Sequence, residues 1–577
     1  MNSIQSCSPS SETLSLAIAA PRSSLADRRE SILSTAWPLV AAIGMSVAGW
    51  GIILAAVPPS GQDFPLGDDW AFSHSFIDLA EGKGLNYREF ASMPQLGQWL
   101  WAWPFYMATH PPLFALRLSS IALGWLGLWA LYDLFRQQGL SNRRSGFLTA
   151  VMGMNALWFQ LQGTFMTDVP ALAFSLIALA GYGRAILSQR AWLIPATIAA
   201  LLGAITRQNC IVVPAVAMYF AWRRERLAGF VWWASLLLPI AAAIGTHVWF
   251  MRRPDIFPPV FKPRPPEIAL LAPFVILHTC GLLCLPAVAL NPRPRSLRLL
   301  LGSTLLMFGM AIYWAGNSVL IPSFDKEPYF PYTIPILSPF GPFGGHFQIG
   351  MGPTLLPMTL RKILSVAGCI GGAYLLTALV EFIQERRPVG LICSFVGLHL
   401  ILLFFAPGFY DRYFLVLLPG ALLLMGGSAE PLPMPRIQWT TGLILLAGTA
   451  VSSVALMHDW LSWNRTRWQM GREALAQGKD PWDIEGGFEW DGWYAPMHRA
   501  PPPAAGSYQP HRMVLQFTWE IFTNVRGKYA IGFSRFARTL LDDIWPRVRE
   551  VRSQEYPLWS CPGKGKLLWL EDPEAEK

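Results

Sequence analysis

The sequence predicts an all-α polytopic membrane protein of about 13 transmembrane helices. Juxtamembrane helices are expected in its first outer loop, and a small mixed α/β domain at its C-terminal end. Three observations carry that prediction. The 577 residues are 53% hydrophobic and only 14% charged, with mean hydropathy +0.35, whereas soluble globular proteins carry about 25% charged residues. Apolar runs near the roughly 20 residues a bilayer requires follow one another through most of the chain. Most basic clusters fall between those runs, where cytoplasmic loops hold them, so the net charge of +9 reads as membrane topology and not as nucleic-acid binding.

Taken in order, residues 1–35 are polar and Ser-rich, with Arg22, Arg28 and Arg29, and read as a cytoplasmic tail. The run 36–57 is too long for a signal-peptide core and has no clear cleavage site, so it is a retained first helix. The loop 58–112 opens with "FPLGDDWAFSHSF" (64–76), which starts an amphipathic helix from Trp70 to Glu81. Its second half, "LGQWLWAWPFYMA" (96–108), is short for a span and rich in Trp and Tyr, which prefer the membrane–water interface. It reads as a helix lying on the outer leaflet. Spans follow at 113–135, 145–163, 169–187, 191–206, 208–222, 228–250, 267–290, 299–321, 358–383, 389–406, 412–428 and 439–457.

Orientation follows from "RQQGLSNRR" (136–144), "RRER" (223–226), "NPRPRSLR" (291–298) and "QERRP" (384–388), all cytoplasmic if the N-terminus is inside. Arg252 and Arg253 break the trend. The "GDDW" loop, "TFMTDVP" (164–170), the loop 251–267 and the loop 322–357 then face outside. An odd number of spans puts 458–577 outside as well. That tail holds ten of the 26 Trp, the Pro-rich "APPPAAG" (500–506) and short alternating runs such as "KLLWLE" (566–571). Three units result: the tail 1–35, the membrane domain 36–457 and the extracytoplasmic domain 458–577.

Several functions lack their signatures. The seven cysteines lie in apolar runs, in the N-terminal tail or alone near the C-terminus, which is no disulfide framework. Cys280 and Cys284 share a helix face without a nearby His or carboxylate to complete a metal site. There is no P-loop, no GxGxxG in a βαβ context and no HExxH. Asn464-Arg465-Thr466 fits a glycosylation acceptor pattern, which is common by chance.

The residues that could carry chemistry lie in the outer loops. Asp68 and Asp69 suit a helix N-terminus, where carboxylates satisfy free N–H groups and meet the helix dipole. One Asp suffices for a cap, and the second is free to act as a general base toward a hydroxyl, kept ionised by the dipole. Asp168 heads another helix with Pro170 in the first turn, where Thr167 or Asp168 could be the cap. Arg207 and Gln208 in "AITRQNCIVVP" (204–214), and Arg412 in "FYDRYFLVLLPG" (409–420), interrupt apolar stretches. Charged groups there either snorkel to the headgroups or line a site, and a guanidinium fork suits phosphate oxygens. Asp411 reads as the partner of Arg412. Arg117 begins a span and snorkels, Lys262 and Arg264 could meet phospholipid headgroups, and His74 and His110 have no metal-ligand spacing. "GGFEWDGWY" (486–494) is turn-rich and could be purely structural.

The order of these motifs resembles the GT-C glycosyltransferases, in particular the bacterial branch that includes protein O-mannosyltransferases and lipid A aminoarabinose transferases. The similarity rests on "GDDW", "ALRLSS" (115–120), "TFMTDVP" and "TRQN" over residues 36–250, and on "YDRYFLVLLPG" later. It implies transfer of a sugar from a polyprenyl-phosphate carrier to an extracytoplasmic glycan, lipid or protein, at a bacterial inner membrane. It implies catalytic roles for Asp69, Asp68 and Asp168, and contacts to the donor phosphate for Arg207, Arg412 and Gln208. Gln95, Gln98 and Arg117 fall in the donor or acceptor pocket by the same likeness. Where many relatives show "KPP", this chain has "SMPQLGQ" (92–98), and Gln95 and Gln98 cannot supply the Lys charge. The implied mechanism is a single in-line displacement that inverts the anomeric carbon and requires no cofactor, although an Asp pair could hold a metal in some relatives. The alternative is a transporter or flippase of a lipid-linked sugar, for which internal repeats would be usual and are not found. A scaffold that binds cell-wall components through its Trp-rich tail leaves the carboxylates unexplained.

Overall fold

The computed structural model describes residues 32–573, apart from 89, 188, 228, 254–255, 257–265, 291–295, 317–328, 334–335, 344–347, 351, 387–388, 405–409, 427–434, 495–524 and 535–547. Lys262, Arg264 and residues 1–31 of the N-terminal tail therefore lie outside the described residues, and the last four residues of the predicted tail are already helical.

The chain is mostly helical. In order come α1 (Ile32–Ala56), α2 (Asp69–Ala80), α3 (Leu96–Ala108), α4 (Pro112–Gln137), α5 (Asn142–Gly153), α6 (Ala156–Gln162), α7 (Asp168–Leu187), α8 (Leu193–Thr206), α9 (Val212–Arg223) and α10 (Phe230–Met251). Then follow α11 (Pro266–Leu283), α12 (Leu285–Val288), α13 (Leu297–Gly316), α14 (Met358–Gln384), α15 (Leu391–Phe404), α16 (Leu418–Gly426), α17 (Arg436–Ala476) and α18 (Phe488–Tyr494). Among the described residues, seven helices are long and apolar enough to cross a membrane, and three shorter apolar helices accompany them.

Burial sorts these helices. In α7, 89% of the most apolar window is buried, against 17% in α13. Helix α7 is the hub, packed by α4, α8, α9 and α15. Peripheral helices turn Phe230, Leu305, Ile312, Ile437 and Val451 outward. A bundle that is apolar both inside and outside suits lipid as its solvent.

Five predicted spans are not single α-helices; 191–206 and 208–222 begin as 3-10 turns, Arg190–Trp192 and Gln208–Ile211, before α8 and α9. The run 145–163 is two helices, α5 and α6, because the Asn155 side chain accepts from Leu157 N at 2.9 Å and donates to Leu283 O at 3.1 Å. An Asn at such an N-cap satisfies a free N–H and restarts the helix. The run 267–290 divides at Cys284 into α11 and α12, and 412–428 begins as a 3-10 turn, Asp411–Leu417, before α16. The helix expected over 96–108 forms as α3, 13 residues with Leu100, Trp103 and Met107 exposed and Gly97 tight against the Leu202 carbonyl.

Helix α17 runs without interruption through residue 458 and is 41 residues long, about 60 Å, twice the roughly 30 Å hydrocarbon thickness. Its far half supports a four-stranded sheet in the order β1-β2-β4-β3. The strands are β1 (Ile484–Glu485), β2 (Tyr529–Phe533), β3 (Arg549–Pro557) and β4 (Lys564–Glu571). Strand β1 pairs parallel with β2; the other pairs are antiparallel, with a register shift between Glu550 and Arg552. Phe533 meets Trp463 edge-on at 5.2 Å, and His458 stacks on Trp559 at 3.7 Å. Asp459 accepts from Trp559 N at 2.7 Å and Ser560 N at 3.0 Å, fastening the β3–β4 turn to the helix. Asn464 is fully buried here and bonded to Trp460 O at 2.9 Å, so it is no glycan acceptor.

Candidate functional site

The "GDD" turn is built first by Gly67. Its φ is +58°, and a Cβ there would come within 2.6 Å of the Phe343 ring, so only glycine fits. The turn brings the two carboxylates to different places. Asp69, the first residue of α2, is buried; it accepts from Leu66 N at 2.5 Å and from Phe165 N at 3.1 Å. It pins the first loop to the loop before α7. Burial pushes its carboxyl up to about 7, against the pull of the Arg117 guanidinium and the two N–H donors. The helix dipole does not keep it ionised as expected, because desolvation is the larger effect at a fully buried acid.

Asp68 occupies the N-cap position but makes no side-chain cap. Its carboxylate instead accepts from Arg412 Nη1 across 344 residues of sequence. The expected pairing of Arg412 with its neighbour Asp411 is not formed. Asp411 turns away and accepts from Ile336 N at 3.3 Å and Leu337 N at 2.5 Å.

Asp168 heads α7, and its Oδ1 accepts from Arg207 Nη1 at 2.6 Å. Arg207 lies in the turn between α8 and α9, held in part by Gln95 N donating to Thr206 O at 3.1 Å. Thr167 does not cap; its hydroxyl reaches Met93 Sδ at 2.7 Å. The Tyr413 ring lies between the two guanidiniums, 5.8 Å from Arg207 Cζ and 5.7 Å from Arg412 Cζ. Four charges from three distant segments and the first loop thus form two neighbouring ion pairs.

Three of the four charges stand at the polar end of a cavity of 390 Å³, within the range of small-molecule sites, roughly 300–1,000 Å³; Asp68 reaches it only through Arg412 and is not among its lining residues. Asp168, Arg207, Gln208, Arg412 and Tyr413 line it at that end. Its walls are mostly apolar, with Leu172, Ile211, Phe395, Leu402, Leu403, Leu415 and Val416, and also carry Ser92, Ser175, Asn209 and His399. Each ion pair uses one terminal nitrogen of its arginine, and Arg412 Nε–H has no acceptor, so guanidinium donors remain for an anion. The arrangement joins an ionic head site to an apolar trough.

Three predicted pocket residues lie elsewhere. Arg117 does not snorkel. It is buried beneath the first loop and donates to Gln62 Oε1 at 3.0 Å and Phe64 O at 3.0 Å. Gln98 donates to Phe165 O at 2.9 Å. Gln95 is fully buried at φ +59°, its amide without a partner. None of the three lines the cavity. His74 sits 3.1 Å from Asp78, and burial with the Arg88 charge pushes it down to about 4. Among the described residues, no three His, Cys, Asp or Glu side chains converge as a metal site would need.

The "GGFEWDGWY" segment braces the site. Glu489 is buried; its Oε1 accepts from Gly67 N at 3.1 Å, and its Oε2 from Arg467 Nη1 at 3.0 Å and Gln348 Nε2 at 3.3 Å. Arg467 also donates to Gly486 O at 3.0 Å and Asn464 Oδ1 at 2.7 Å. Phe488 meets Trp70 edge-on at 5.8 Å. Sequence reasoning missed this role, and missed Tyr413 and His399 in the cavity. A lone His inside the apolar run 389–406 was the available signal.

No family model matches the chain, and no curated protein matches it either. Among solved structures, the chain is similar to the crystal structure of ArnT from Cupriavidus metallidurans bound to undecaprenyl phosphate. The likeness has 13% identity and a TM-score of 0.41, over 93% of this chain and 98% of that one. The apo state of the same protein gives 14% identity and a TM-score of 0.39, over 92% and 98%. At those scores the likeness decides nothing about the chemistry.

Proposed function

We propose that this multi-pass membrane protein is a GT-C-like glycosyltransferase that moves a sugar from a polyprenyl-phosphate carrier to an acceptor hydroxyl outside the cytoplasm. One observation carries the reading: two ion pairs, Asp68–Arg412 and Asp168–Arg207, stand side by side at the head of an apolar cavity. An isoprenoid phosphate has the matching form, an anion on an apolar chain. Arg207 and Arg412 take the phosphate with the donors their carboxylates leave over, and Gln208 supports them. Asp68, freed in part as Arg412 turns to the phosphate, takes the proton from the acceptor hydroxyl. The hydroxyl oxygen attacks the anomeric carbon, the bond to phosphate breaks, and the guanidiniums meet the charge that leaves with it. A single displacement inverts the anomeric centre. Asp69 is the positioning residue that fixes Asp68, and Asp168 orients Arg207.

The cavity sits at the motif end of the bundle. At the other end Arg184 forks onto Asp133 at 2.6 and 2.8 Å, and neither residue lines the cavity; a site confined to the motif end supports an enzyme over a carrier. The test is transfer from a defined polyprenyl-phosphate hexose by the purified protein. Asp68→Asn is expected to lower kcat by about 10²–10⁴-fold while donor binding persists. Undiminished transfer by that variant sinks the assignment of the base, and failure of the wild-type protein to bind the donor sinks the function.

A further inference from the structure

One cavity residue has no part in that scheme. His399 lies on α15, buried at 5% exposure, and lines the cavity among the apolar side chains of Phe395, Leu402 and Leu403. Its Nδ1 is 3.0 Å from the Phe395 carbonyl oxygen. A carbonyl only accepts, so Nδ1 carries the hydrogen, and in the neutral ring Nε2 holds a lone pair. The Phe395 ring, 4.3 Å away, fixes the imidazole. Among the described residues, no side chain donates to Nε2. His399 lines the cavity, so Nε2 is open to a ligand there, and a titratable group inside a membrane bundle marks a site by default.

The chemistry of that nitrogen selects the ligand. An isoprenoid chain has no hydrogen-bond donor. A phosphate dianion offers only lone pairs, which repel another lone pair. A hydroxyl donates. We propose that His399, which lines the same cavity as Arg207 and Arg412, is a specificity-determining residue whose Nε2 accepts a hydrogen bond from a hydroxyl of the donor's sugar, the sugar sharing that cavity with the first isoprene units. The proposal rests on the donor class assigned above and adds what the site reads in it. The cavity then favours the sugar-bearing carrier over the discharged one. Once the sugar has left, Nε2 loses its donor and the spent carrier is held less tightly, so the same contact favours exchange of product for substrate.

The test measures affinity of the full-length protein in nanodiscs for two probes, a polyprenyl-phosphate hexose and the same polyprenyl phosphate without sugar. The wild-type protein is expected to prefer the first by about tenfold, the scale of one hydrogen bond to a neutral group. His399→Phe is expected to abolish that preference while leaving affinity for the sugar-free lipid within about twofold. His399→Gln, whose amide oxygen can accept, is expected to restore most of the preference and separates recognition from packing. In transfer assays, KM for the donor rises in His399→Phe while kcat holds. Equal weakening of both lipids by His399→Phe, an unchanged preference, or no recovery with Gln overturns the proposal and leaves the function standing. Wild-type protein that binds neither lipid overturns both.

Discussion

Glu489→Gln changes one atom and tests the link between the C-terminal segment and the acidic turn. The carboxylate serves three donors: Gly67 N–H on Oε1, and Arg467 and Gln348 on Oε2. Glutamine has one oxygen and an NH₂ group, so either Gly67 or Arg467 must face a donor. Arg467 is fully buried, and its remaining acceptors, Gly486 O and Asn464 Oδ1, are neutral. Removing one partner of a buried ion pair costs about 3–5 kcal/mol. Two neutral acceptors stay in place, which puts the expected loss near the lower end, about 3 kcal/mol. Unfolding in mixed micelles can be followed with a thiol-reactive dye, since Cys210, Cys280, Cys284 and Cys369 are buried and free. In a separate cycle, Glu489→Leu/Arg467→Met is expected to be less destabilised than the sum of Glu489→Leu and Arg467→Met measured singly. Glu489→Gln within about 0.5 kcal/mol of the wild-type protein, or strict additivity in the cycle, would refute the bracing argument.

Three further outcomes follow from the site. Asp69 has a folded pKa of about 7, above its ordinary value of 3.8. The folded chain thus holds its proton more tightly than the unfolded one, and Asp69 costs stability progressively from about pH 4 to about pH 7 and by a constant amount above. Unfolding midpoints at pH 5 and pH 8 should therefore differ more in the wild-type protein than in Asp69→Asn, which starts lower because one of two backbone donors loses its acceptor. Gly67→Ala combines a φ of +58° with a Cβ 2.6 Å from Phe343 and should cost about 2–4 kcal/mol, seen as a lower unfolding midpoint. Asp168→Asn strands the Arg207 charge and should lose about 3 kcal/mol, while Asp168→Asn/Arg207→Gln regains part of it; a double variant no better than Asp168→Asn shows that the pair is not coupled.

The membrane helices were legible because burial in lipid is written in composition: long apolar runs with polar ends admit few other readings. That 96–108 forms a short helix of its own was legible for a related reason, 13 residues being too few to cross. The convergence of Asp68, Asp168, Arg207 and Arg412 followed from alternation of spans, which sends all four to one end. Their pairing was not legible. Adjacency suggested Asp411 for Arg412, but the 3-10 turn turns the two side chains apart, and the true partner is 344 residues away. The ionisation of Asp69 was misjudged because a dipole term of about 0.3–1 kcal/mol is visible in sequence, whereas the larger cost of burial exists only once Phe165 closes over the acid. The division of α5 from α6 depends on a carbonyl of α11 that no local pattern reveals.

Helix α17 has a mechanical consequence. As one unbroken rod, it fixes by residue count both the height and the azimuth at which Arg467 meets the first loop. Adding or deleting a single residue within its bilayer half would raise or lower the far end by about 1.5 Å and swing it by about 100°. The guanidinium would then be carried away from Glu489, and the clasp on Gly67 would open although no side chain near the cavity had changed.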